Sequence, residues 1–177
     1  MSDKTLNEWL ANFSEWNENF KKGTLEPEIR TPYLSMRREL CALLLMSQRL
    51  AIEPGAAQRG ALRVARAFQV EFGFPAGEVS AITHDISASG LSALVAESPP
   101  TGTSVWLRIK VGIYGVIVGR CRVVKIIPKQ GSILMGVAFE NLGDEADEKI
   151  ESIVCDVVVT ELRGLLRIPT KTAGNPS

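Results

Sequence analysis

The chain has 177 residues, 45% of them hydrophobic and 23% charged, with 20 Lys/Arg balanced by 20 Asp/Glu. That make-up suits one folded domain with a real core plus a smaller appendage. It excludes a strongly basic duplex-binding protein, and no run approaches the roughly 18 apolar residues of a membrane span.

The charge is unevenly spread. Residues 57–142 carry nine Lys/Arg against five Asp/Glu, and residues 143–177 carry four against seven. A mildly basic middle suits a small anionic ligand. Met1-Ser2-Asp3-Lys4-Thr5 lacks the charged and apolar pattern of a secretion signal. Cys41, Cys121 and Cys155 are odd in number, far apart and set among apolar neighbours. They read as buried thiols, and the expected compartment is the cytoplasm.

Residues 4–22 have helical periodicity. Leu6, Trp9, Leu10, Phe13, Trp16 and Phe20 share one face, Thr5 with Glu8 has capping-box spacing, and Gly23 is a stop. A second helix is expected from Pro32 to Ala51, capped by Thr31 and ended by Pro54-Gly55. Its centre, Leu40 to Met46, is apolar nearly all round and calls for cover on more than one side. The two helices can pair as a hairpin, with the second also meeting the sheet or another subunit.

From Val64 the period becomes two. Phe68, Val70, Phe72 and Phe74 alternate with polar or small residues, and Val105, Leu107, Ile109 and Val111 alternate with Trp106, Arg108 and Lys110. A run from Val79 to Thr83, a turn at Gly112 to Gly115, a strand Val116–Ile127 ended by Pro128, and another from Gly131 to Phe139 complete a set of short strands. That spacing favours an antiparallel barrel. The acidic start near Asp144 and the stripe Ile150, Ile153, Val154, Val157, Val158, Leu162 and Leu165 mark a last helix, with a fraying tail after Pro169. The expected organisation is a helical region over 1–56, a barrel over 57–142, a helix packed with it over 143–168, and a flexible tail over 169–177.

One stretch carries chemistry. Arg59-Gly60-Ala61-Leu62-Arg63 is followed, 22 positions from Arg63, by Asp85-Ile86-Ser87-Ala88-Ser89-Gly90. A strand, a Gly/Pro break and another strand lie between them. Arg-x-x-x-Arg followed after one hairpin by Asp-x-Ser-x-x-Gly resembles the PilZ domain, a bacterial receptor module for cyclic di-GMP. The resemblance runs from about Gln58 to Leu165, including Gly136-Val137-Ala138-Phe139 as the closing strand, and leaves out the first 56 residues.

It implies a mainly β fold: a six-stranded antiparallel β-barrel with a C-terminal helix, here preceded by a helical hairpin. It implies a non-enzymatic effector that binds cyclic di-GMP, with no cofactor and no metal, and signals through protein–protein contacts. In that reading Arg59, Arg63, Asp85, Ser87 and Gly90 bind the ligand, and Gln58, Ala88 and Ser89 are possible additions. Guanidinium groups pair with phosphates in a fork and stack on or donate to guanine, and a carboxylate accepts from guanine N1–H and N2–H. Gly90 is expected to free the backbone for the turn into the next strand, where a side chain would clash. Where many family members carry a further arginine this chain has Gln58, which points to one ligand per protomer.

Plainer readings stand beside these. The arginines can form a solvated basic edge, and Asp85 with Ser87 can serve only to shape a turn. His84, in strict alternation, faces away from Asp85 as a structural histidine, and Trp106 is a surface platform or cover for a helix. A scaffold that binds no nucleotide and assembles through its N-terminal helices is the alternative function. No Gly-rich phosphate loop, paired metal ligands or activated nucleophile appears.

Overall fold

The computed structural model describes residues 3–51 and 60–166. The Pro54-Gly55 stop, Gln58, Arg59 and the tail beyond Pro169 lie outside these residues.

Helix α1, Asp3–Lys21, begins ahead of Thr5, so Thr5 is no N-cap; it ends as expected at Gly23, whose φ of 70° suits glycine. Helix α2 spans Pro27–Leu50, five residues earlier than the Thr31-Pro32 signal placed it. Pro27 takes the first helical position, where a missing N–H costs nothing. Pro32 then lies inside the helix, where it forfeits one hydrogen bond near the N-terminus. Its neighbour Tyr33 is fully buried and holds the segment helical.

Seven antiparallel strands follow: β1 Arg63–Ala65, β2 Gln69–Phe74, β3 Gly77–Ser87, β4 Gly90–Val95, β5 Ser104–Lys110, β6 Val116–Lys129 and β7 Ser132–Glu140. Pairing runs β3–β2–β5–β6–β7–β4 and back to β3, closing a six-stranded barrel. β1 adds a seventh strand on β3, beyond the six that the periodicity suggests. Val70, Phe72, Leu107, Ile109, Ile117 and Met135 point inward and are fully buried. β6 runs on through Pro128, which pairs with Ile133. β5 stops pairing with β6 at Arg122, so Pro128 sits where that edge is open and tolerates it.

Helix α3, Asp144–Leu166, joins the two parts. Ile150, Ile153, Val154, Val157 and Val158 pack into the barrel core. Cys155 and Val159 turn the other way and share a second core with Phe13 of α1 and Tyr33 of α2. The N-terminal helices therefore dock on the C-terminal helix of their own chain. Burying each large side chain there contributes roughly 1.5–3 kcal/mol. Leu165, expected in the buried stripe, is 79% exposed because α3 has by then run past its cover. Along α2, Leu40, Cys41, Leu44 and Leu45 pack toward the barrel, while Leu43, Met46 and Leu50 stay open to solvent.

Candidate functional site

The site forms where the arginine segment meets the β3–β4 turn. β1 and β2 lie along the same edge of β3: Ala65 pairs with Asp85 and Arg63 with Ser87, while Gln69 pairs with Ile82. The corner between them is pinned by Thr83. Its Oγ1 donates to the Arg66 carbonyl at 2.5 Å and accepts from the Phe68 N–H at 2.8 Å. Thr83 is 3% exposed, a buried polar residue that sequence reasoning missed. The available signal was a threonine in step with the inward Val79 and Ala81.

Gln48 of α2 grips the same segment from outside. Its Nε2 donates to the Arg63 carbonyl at 2.7 Å, and its Oε1 accepts from the Arg63 N–H at 3.2 Å. A side-chain amide thus takes the place of a neighbouring strand at this exposed edge. Unlike Thr83, it carried no pattern that could have revealed it.

Arg63 Nη1 lies 3.7 Å from Asp85 Oδ1. That is an ion-pair distance but too long for a hydrogen bond. Asp85 Oδ1 is buried and lacks any hydrogen-bond partner, while the Arg63 side chain is 47% exposed. His84 does not face away from Asp85. Its Nδ1 is 3.3 Å from Asp85 Oδ2, because the β3–β4 register slips between Thr83 and Asp85. The extra residue breaks strict alternation, so inward positions pass from Thr83 to Ile86.

Ser87 is 1% exposed, and its hydroxyl donates to the Gly90 carbonyl at 3.0 Å. It holds the turn in shape, with Ser89 Oγ 3.4 Å away. Gly90 is needed for a reason other than conformational freedom, since its φ is not positive. A Cβ there would sit 2.1 Å from the Val137 carbonyl oxygen, so only glycine lets β4 lie this close to β7. Ala88 lines a cleft of about 210 Å³ that also touches Arg37, Cys41, Leu62 and Val154, behind the arginine segment rather than beside Asp85. Arg63, Asp85 and Ser87 are brought together on adjoining strands; Arg59 and Gln58 lie outside the described residues.

A family model for the PilZ domain matches residues 57–155, more than half of the chain. The chain belongs to the PilZ domain family. No curated protein sequence matches it. Among solved structures it is similar to the PilZ domain of YcgR from Escherichia coli with c-di-GMP, at 15% identity and TM-score 0.51, over 63% of this chain and 98% of that one. A second structure of YcgR from Escherichia coli, in complex with c-di-GMP, aligns at 14% identity and TM-score 0.57, over 64% of this chain and 52% of that one. The Bacillus subtilis inhibitor of motility MotI/DgrA aligns at 18% identity and TM-score 0.51, over 61% of this chain and 53% of that one. The chain thus spans about half the length of those two longer proteins, and at these identities the likeness speaks for the PilZ fold. No helix among the described residues is long and apolar enough to cross a membrane. Of the two readings of Trp106, surface platform or cover for a helix, the first fits: it lies against Gly73 across the sheet and is 46% exposed.

Proposed function

We propose that this PilZ protein is a non-enzymatic cyclic di-GMP receptor that acts in the cytoplasm. The observation that carries this reading is the Arg63–Asp85 pair: a half-exposed guanidinium beside a carboxylate whose Oδ1 has no hydrogen-bond partner. Asp85 accepts from guanine N1–H and N2–H, and Arg63 reaches a phosphate or guanine O6 and N7. Arg59, four residues ahead, completes the clamp as the motif implies. Ser87 and Gly90 keep the turn and the β4–β7 contact in shape, Ser89 sits beside Ser87 in that turn, and Ala88 faces the cleft behind the arginine segment. With Gln58 where a further arginine would add charge, one ligand binds per protomer.

Output runs through the helices. Gln48 ties α2 directly to the backbone of Arg63, so a ligand that draws in the arginine segment pulls on α2. The same helix presents Leu43, Met46 and Leu50, 65%, 59% and 88% exposed, as a stripe for a protein partner or a second copy. That stripe also favours a second reading, in which the chain binds no nucleotide and serves as an adaptor through α2. Calorimetric titration of the full chain with cyclic di-GMP separates the two. Saturable binding near one ligand per protomer supports the receptor; absence of heat and of any displaceable binding leaves the adaptor.

A further inference from the structure

On the outside of the barrel, residues opposite one another across neighbouring strands form rows. One row runs from Asp85 on β3 to Ser92 on β4, Gly136 on β7 and Lys125 on β6. Leu91, Ala93 and Val95 belong to the core, so alternation turns Ser92 outward, onto the face that Asp85 shares. Yet Ser92 is only 5% exposed, and its Oγ has no hydrogen-bond partner. Asp85 Oδ1, directly across the strand pair, likewise has no hydrogen-bond partner, only the longer ion pair with Arg63.

Folded proteins leave few buried polar atoms unpaired. Two lie on one cross-strand pair and neither satisfies the other: Asp85 Oδ1 has only the Arg63 guanidinium at ion-pair distance, and the Ser92 hydroxyl, which can accept or donate, has no partner. The next position in the row is Gly136, which has no side chain. A Cβ there would come within 3.3 Å of Lys125 Cβ, so the lysine stem lies alongside. Arg63 at one side and Lys125 at the other are long, exposed side chains that can lift off the row, leaving a floor of Asp85, Ser92 and glycine.

We propose that Ser92 is a ligand-contacting residue that reads the guanine base together with Asp85. The proposal rests on the receptor reading above and adds a specificity residue to it. Guanine presents N1–H and N2–H₂ side by side, two neighbouring donors for two neighbouring acceptors. Adenine presents a ring-nitrogen lone pair where guanine has N1–H, and sets that lone pair against the Asp85 carboxylate. The row therefore favours cyclic di-GMP over cyclic di-AMP.

The test titrates both dinucleotides into full-length wild type, Ser92→Ala, Asp85→Ala and, as a control at an exposed outward serine of β3, Ser80→Ala. Ser92→Ala removes an unpaired buried oxygen, so without ligand it melts at the same temperature as wild type or higher. Its affinity for cyclic di-GMP falls about five- to tenfold, with cyclic di-AMP weak throughout and Ser80→Ala unchanged. Wild-type affinity in Ser92→Ala, alongside loss in Asp85→Ala, overturns the role of Ser92 and leaves the receptor reading standing. A lower melting temperature with a matching affinity loss makes Ser92 structural and also overturns it. Failure of wild type itself to bind cyclic di-GMP overturns both.

Discussion

The helical layer joins most of its buried polar side chains into one network, whereas on the outer face of the barrel two unpartnered oxygens sit on one cross-strand pair. Between the helices, the Tyr33 hydroxyl donates to Asn17 Oδ1 at 2.7 Å, and Asn17 Nδ2 donates to Asp156 Oδ1 at 3.1 Å. Lys21 Nζ donates to the same carboxylate oxygen at 2.8 Å. Arg37, 4% exposed, reaches Ser152 at 3.1 Å and Glu151 at 2.9 Å; its Nε, and outside this network Asn7 Oδ1 and Ser14 Oγ of α1, are left without partners. On the barrel, Asp85 and Ser92 face each other with unmatched oxygens. A network that closes on itself specifies one arrangement, while an open one is completed by something from outside. The Tyr33–Asn17–Asp156–Lys21 network thus ties the helical junction together, and the paired open oxygens of the barrel face are the ones placed beside the arginine segment.

The largest expected effect breaks the helical side of that contrast. Phe13 is fully buried among Trp9, Tyr33 and Cys155. Phe13→Ala costs about 3–5 kcal/mol of stability, read by denaturant melting, while cyclic di-GMP affinity measured on the remaining folded protein stays near wild type. An equal loss of affinity would show that the helical layer is part of the site. Point substitution is the sharper tool here than deleting residues 1–56. Deletion would strip Cys155 and Val159 of their cover and confuse instability with lost output.

Next in size is the barrel face itself. Arg63→Ala and Asp85→Ala each lose about 1–3 kcal/mol of cyclic di-GMP binding in calorimetry, with little change in melting temperature. Arg63→Lys does not restore it, because an ammonium lacks the planar fork. If both alanine variants titrate like wild type, the site is elsewhere. Gln58→Arg is expected to tighten binding or raise the count above one, and saturation of the wild type at two ligands would contradict the role given to Gln58.

The link between the regions is smaller and easier to sharpen. Gln48→Ala removes two bonds to the Arg63 backbone, worth about 1 kcal/mol in all, and loosens α2 from the arginine segment. Ligand affinity is expected to change by only a fewfold. Any shift in self-association that ligand causes, followed by light scattering, is expected to shrink. A Met46→Glu substitution on the exposed stripe is expected to abolish that association outright while leaving affinity intact. Unchanged association in both variants would move the contact surface away from α2.

The barrel and its last helix were legible because their signals are local. Alternation at Val70 and Phe72, glycine at the turns and the acidic start at Asp144 each report on their own neighbourhood. The arginine and Asp-x-Ser motifs were legible for the same reason, as spaced residue types. What the sequence concealed depends on register between distant segments. His84 turned toward Asp85 because one residue bulges from β3, and no composition signal marks that slip. That a side chain at Gly90 would clash was legible, but that the clash is with the Val137 carbonyl of β7 was not. Gln48 and Ser92 are ordinary polar residues until the fold sets them opposite Arg63 and Asp85. Pro32 misled because a strong local preference for helix starts was overridden by an earlier proline and by the burial of Tyr33.

The smallest effect compares the two cores through their thiols. Cys121 lies in the barrel core and Cys155 in the helical junction; both are buried, and burial pushes both thiols up to about 12. Cys41 is half-buried on α2 and is also raised by burial. Thiolate is the reactive form, so at pH 8 native protein labels at Cys41 first, and at the other two only through opening. A thiol raised in the fold stays protonated there while the unfolded chain has lost its proton. Its contribution to stability is therefore complete below the ordinary thiol range near pH 9, and declines as pH rises toward 12. Labelling of Cys121 and Cys155 is expected to speed up together over that window, beyond the rise in thiolate of a free peptide. If the helical junction is as permanent as its closed network indicates, Cys155 labels no faster than Cys121 at any pH. Faster labelling of Cys155, followed by mass spectrometry of the modified peptides, would mean that the helices detach while the barrel stays folded, and the contrast between the two regions would be reversed.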